Sequence, residues 1–204
     1  MNRAIQNLPD TYYEAGTLDV SKNTRLLLML NLAGLVVLII AGWLFLQAII
    51  WLRPEEALSK FSFFSIQTPL EMAGLILAII GLTALNLIFH EAIHGVFFWI
   101  FTRSNPRFAF RGAYAYAAAP GWYLPRNSFL VTTLAPLLII SLAGLIVMCM
   151  IPATGLAATW FIVSMNASGA VGDMLVAWWV LRRTPRSYIQ DRGDAVTLYL
   201  PKNS

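Results

Sequence analysis

Residues 70–102 read LEMAGLILAIIGLTALNLIFHEAIHGVFFWIFT. Past Glu71 at its start, the ionisable residues of this run are confined to one cluster, His90, Glu91 and His94. An α-helix needs about 20 apolar residues to cross a bilayer, and this run exceeds that. Three further runs qualify. Leu26–Leu52 is broken only by Asn31 and Gln47, Phe129–Ile151 carries no charge, and Leu156–Leu181 carries one, Asp173. Pro152 to Gly155 reads as a tight turn that joins the last two runs as an antiparallel hairpin. The fold class is therefore an all-α membrane protein with four transmembrane helices, spanning about 26–52, 70–102, 129–151 and 156–181.

Composition agrees. The chain has 204 residues, 58% hydrophobic and 12% charged. A soluble domain is about 25% charged. Disorder, a coiled coil and an ordinary soluble enzyme are excluded. The length reads as a single domain, 1–204. Cys149 is the only cysteine, so neither an intramolecular disulfide nor a cysteine-based zinc cluster can form. Its place in an apolar run suggests core packing. The net charge of +4 points to no nucleic-acid partner, because the basic residues flank apolar runs without forming a patch. The first run is not a cleaved signal peptide, being much longer than an h-region of about 7–15 residues.

Lysine and arginine counts predict orientation. The N-terminal segment has three (Arg3, Lys22, Arg25), the segment after the second run four (Arg103, Arg107, Arg111, Arg126) and the tail five (Arg182, Arg183, Arg186, Arg192, Lys202). The first loop has two, Arg53 and Lys60. Both termini and the middle segment are thus expected in the cytoplasm, with the chain in a bacterial cytoplasmic membrane. The tail, residues 182–204, is short and polar, with room for a small ordered element but too short for a second core.

In the middle segment, residues 105–126, Phe108, Phe110, Tyr114 and Tyr116 fall on alternate positions around Arg111-Gly112. Period-two alternation about a central glycine predicts a β-hairpin-like segment between the second and third helices. Two readings stand: a loop whose aromatics rest at the membrane interface, or an edge strand that pairs with an extended peptide through Tyr114 and Tyr116.

His90 and His94 are the only histidines, and Glu91 follows the first. Spacing of i, i+4 sets both imidazoles on one helix face. Such a pair can bind one zinc ion, and the intervening glutamate can act as general base toward a water at the metal. Ionisable groups inside a span are costly and default to function. A third ligand must be a carboxylate or an amide. Of the acids, only Glu91 and Asp173 lie well inside a run. His94 precedes Arg103 by nine residues, and Asp173 precedes Arg182 by nine. At 1.5 Å per residue, both lie about 13–14 Å from the same membrane face. The expected set is therefore zinc, one per chain, on His90, His94 and Asp173.

Asn166 lies two turns before Asp173 and can bond a substrate carbonyl, an oxyanion or a neighbouring helix. Ser168, Gly169 and Gly172 thin that helix, so that a substrate or another helix can come close. Asn86, one turn before His90, reads as a support for the site or a helix–helix bond. Pro136 is expected to kink the third helix.

These residues resemble a known group. His90-Glu91-x-x-His94 in one span with Asn166 and Asp173 in a later one is similar to the intramembrane metalloproteases of the site-2 protease type. The nearer resemblance is to a small bacterial family of membrane zincin peptidases, and it covers roughly Leu70 to Leu181. It implies a zinc site about a third of the way into the bilayer and a hairpin or loop between the two ligand helices. The Asn-to-Asp stretch differs from the site-2 pattern in carrying Gly169 and in being followed by Met174. The implied function is hydrolysis of a peptide bond in a membrane protein or peptide, with Glu91 as the base. The rival readings are a metal transporter or sensor, which has no need of Glu91, and a pseudoprotease that binds transmembrane segments without cutting them. Haem ligation is excluded, since histidines one turn apart cannot reach opposite faces of one iron.

Overall fold

A computed structural model describes residues 3–19, 23–56, 68–110 and 115–202. Lys22, Lys60 and the Arg111-Gly112 turn with Tyr114 lie outside the described residues. The elements in order are β1 (Tyr12–Asp19), α1 (Thr24–Leu52), α2 (Pro69–Thr102), β2 (Arg107–Phe110), β3 (Ala115–Ala118), β4 (Leu124–Pro125), α3 (Arg126–Met150), α4 (Ala153–Gly169), α5 (Val171–Leu181), β5 (Tyr188–Asp191) and β6 (Ala195–Pro201).

Helices α1, α2 and α3 are each long and apolar enough to cross a membrane. The α4–α5 pair passes the same test only if counted as one span bent by 44°. Large apolar side chains stand exposed along these helices, among them Leu28, Ile39, Leu77, Ile88, Leu142 and Ile146. Soluble monomers rarely expose apolar patches so extensive, so the surface is consistent with insertion into lipid.

Local chemistry sets the helix ends. Thr68 and Glu71 form a reciprocal capping box before α2. Arg53 donates to the carbonyls of Met148 (3.2 Å) and Ile151, at the end of α3. Arg126 donates to the carbonyls of Val180 (3.2 Å) and Leu181 (2.6 Å), closing α5. A cation at these C-termini meets unsatisfied carbonyls and the negative end of the helix dipole.

The expectation of an all-α chain needs correction. β1, β6, β5 and β4 form an antiparallel four-stranded sheet in that order, and β2 and β3 form a second antiparallel pair. The polar tail is therefore two strands of a sheet. β6 pairs along most of β1, from Tyr12↔Pro201 to Asp19↔Ala195. That sheet packs on the helices through Leu124, Ile189 and Leu198, against Phe98, Phe129 and Val180. The fourth run is also corrected. It breaks at Ala170, between α4 and α5, with no side-chain cap at the start of α5. Cys149 is exposed rather than packed in a core.

Small residues set the helix contacts. Trp160 Nε1 donates to the carbonyl of Gly42 (2.7 Å), and Ser168 Oγ donates to that of Gly34 (2.9 Å), which ties α1 to α4. On α3, a Cβ at Gly144 would stand 2.1 Å from Cγ1 of Val163, itself 1% exposed. Valine is stiff at χ1 and cannot swing away. Gly144→Ala is therefore expected to cost about 1–3 kcal/mol through overpacking. The check is the midpoint of thermal unfolding in detergent, and an unchanged midpoint would show that the α3–α4 contact relaxes.

Candidate metal centre

Helix α2 carries His90 and His94 one turn apart, with ring centroids 5.0 Å from each other. Both are buried. The break at Ala170 sets Asp173 in the first turn of α5, pointing at them. Asp173 Oδ2 lies 3.0 Å from His90 Nε2 and 3.5 Å from His94 Nε2. Ligands about 2.0–2.1 Å from a tetrahedral zinc stand roughly 3.3 Å apart, so these two spacings fit. One ligand atom from each of the three residues falls within 4.8 Å of the others.

The opposite ring nitrogens determine what the Nε2 atoms can do. His94 Nδ1 lies 2.9 Å from the carbonyl oxygen of Thr132. A carbonyl only accepts, so Nδ1 carries the proton. His90 Nδ1 lies 2.9 Å from Asn166 Oδ1, and Asn166 Nδ2 donates to the carbonyl of Pro136 at 3.3 Å. That second carbonyl orients the amide, so His90 also donates from Nδ1. In the neutral histidines both Nε2 atoms then present lone pairs. They face the Asp173 carboxylate, which accepts as well. Three such groups converging on one point form a site that could hold a cation. The donor set of two imidazoles and one carboxylate, each imidazole held from behind, suits zinc.

The site opens into a cavity of about 580 Å³. Its wall includes His90, Glu91 and His94 of α2, Tyr116 and Ala117 of β3, Gly169, Gly172 and Asp173. Glu91 is half-buried and shares the cavity wall with Ala117 of β3. Gly169 and Gly172 face open space, with no atom within 4 Å of an added Cβ. The glycines thus leave room in the cavity without packing a helix.

Asn166 lies behind His90, fully buried, with its amide taken by His90 and Pro136. Asn86 is buried on the cavity wall, and its Oδ1 has no hydrogen-bond partner among the described residues. Tyr116 packs its ring on Gly193, where a Cβ would stand 2.1 Å from the ring and φ is +90°. This contact sets the β5–β6 turn over the cavity. The turn brings Asp191, which sequence reasoning did not single out, to the cavity wall. Burial pushes the Asp191 carboxyl up to about 6, against a hydrogen bond from the Gly193 N–H that favours the ionised form.

No curated protein and no solved structure matches the chain. A family model does, over residues 83–189, more than half of the chain and the stretch from before the two histidines to the start of β5. That family is described as "Putative zincin peptidase", and the chain belongs to it.

Proposed function

We propose that the chain is a zinc-dependent protease of the site-2 type, embedded in a bacterial cytoplasmic membrane, that hydrolyses a peptide bond of a membrane-associated substrate. The observation that carries this reading is the convergence of His90, His94 and Asp173 beside Glu91, at the wall of a cavity among apolar helices. His90, His94 and Asp173 would hold the ion. Zinc, when bound, supplies a Lewis acid and lowers the pKa of water toward about 7.

Glu91 acts as general base. It takes a proton from the attacking water as the water oxygen bonds to the scissile carbonyl carbon. It then gives that proton to the amide nitrogen as the C–N bond breaks, so the products are a carboxylic acid and an amine. A helical substrate has its carbonyls already bonded within the helix and must unwind first. β3 offers a place for the unwound chain. It pairs with β2 on one side, and it runs along the cavity beside Glu91. An extended peptide running along β3 would bring its backbone past the base. Both termini and the middle segment then lie in the cytoplasm, following the arginine and lysine bias.

The test uses the full chain in detergent, loaded with zinc and incubated with a degenerate peptide library, with cleavage read by mass spectrometry. About one zinc per chain and cuts that disappear on chelation are expected. Zinc binding without any cut would favour a transporter, sensor or pseudoprotease. A wild-type chain that takes up no zinc would overturn the reading.

A further inference from the structure

We infer that Pro136 is a positioning residue for both zinc-binding histidines, an inference that rests on the zinc reading above. Proline has no backbone N–H. In an uninterrupted helix the N–H of residue 136 would bond the carbonyl of Thr132. Here that bond is impossible, and the Thr132 carbonyl accepts from His94 Nδ1 at 2.9 Å instead. Thr132 is 1% exposed, so water does not compete for this carbonyl. The missing helix bond is thus replaced by the bond that orients a ligand.

The same residue holds the second histidine through its own carbonyl. Pro136 O accepts from Asn166 Nδ2, which turns Asn166 Oδ1 toward His90 Nδ1. Both arms end within one turn of α3. Each fixes the proton on Nδ1 and leaves Nε2 as the ligand atom. A proline inside a helix costs stability relative to alanine. At position 136 that cost has a use, because it exposes a carbonyl to a histidine that has few other acceptors in an apolar bundle.

Pro136→Ala restores an N–H that competes for the Thr132 carbonyl and weakens its hold on His94 Nδ1. Zinc binding is measured by competition with a chromophoric zinc chelator, on the full chain in detergent. A dissociation constant raised about 10–100-fold is expected. The thermal midpoint should not fall, since alanine is the better helix former. With cobalt in place of zinc, the visible spectrum of the variant should shift, reporting a changed ligand geometry. A proline that served only the fold would give the reverse pattern, with lower stability and an unchanged site.

Wild-type zinc affinity in a folded Pro136→Ala would overturn the inference. If that variant does not fold, Asn166→Ala tests the other arm, and an unchanged affinity there overturns the inference equally. A wild-type chain without zinc would be seen before either variant, and it defeats the zinc reading itself.

Discussion

Glu91→Gln is expected to keep about one zinc per chain and to lose peptide hydrolysis by about 10²–10⁴-fold. Glutamine has the same shape and fills the same place on the cavity wall. It cannot take a proton. The three residues that converge on one point are His90, His94 and Asp173, so changing Glu91 leaves the ligand set intact. Zinc content is read by elemental analysis and turnover on a peptide recovered from the library. Retained turnover would remove Glu91 as the base. Loss of zinc would move Glu91 among the ligands. The variant also separates the rival functions. A transporter would carry metal equally well in both forms, and a pseudoprotease would cut in neither.

Much of this site was legible in the sequence for a local reason. His90, Glu91 and His94 lie within five residues of one helix, so helical geometry alone sets their relation. Asp173 was reachable by elimination and by equal depth, although its helix is not the continuous one assumed. The break at Ala170 was signalled only by Ser168, Gly169 and Gly172, residues that equally suit close helix packing. The four-stranded sheet was missed because its strands meet only in the folded chain. β1 and β6 are separated by nearly the whole sequence. The alternation of Val196, Leu198 and Leu200 with Thr197 and Tyr199 is a strand signal that the reading of the tail as short and polar passed over. The tail packs because the helices offer a ready surface in Phe98, Phe129 and Val180. The part played by Pro136 could not be read from residue types. A kink was expected there, but which carbonyl it frees, and for whom, depends on how α2 lies against α3.

Asp173→Ala is expected to weaken zinc binding by more than about 100-fold, beyond what losing a supporting hydrogen bond costs. The reason lies in the charge of the site. The two imidazoles are neutral ligands, and Asp173 is the carboxylate that faces both Nε2 atoms. Without it a dication would sit among apolar helices with no opposing charge from the three-residue set, where the surrounding dielectric is low. Asp173→Asn separates charge from shape. The amide fills the same space in the first turn of α5 but supplies a weaker, uncharged oxygen, so its affinity should fall between wild type and alanine. Acid should act in the same direction as the substitution. Protons compete with zinc for the Nε2 lone pairs and the carboxylate, so the wild-type affinity falls as pH is lowered. That fall should be shallower in Asp173→Ala, which has one fewer group to protonate. Chelator competition at several pH values measures both effects. Zinc held by Asp173→Ala as tightly as by wild type would exclude Asp173 from the ligand set, and with it the role assigned to the break at Ala170.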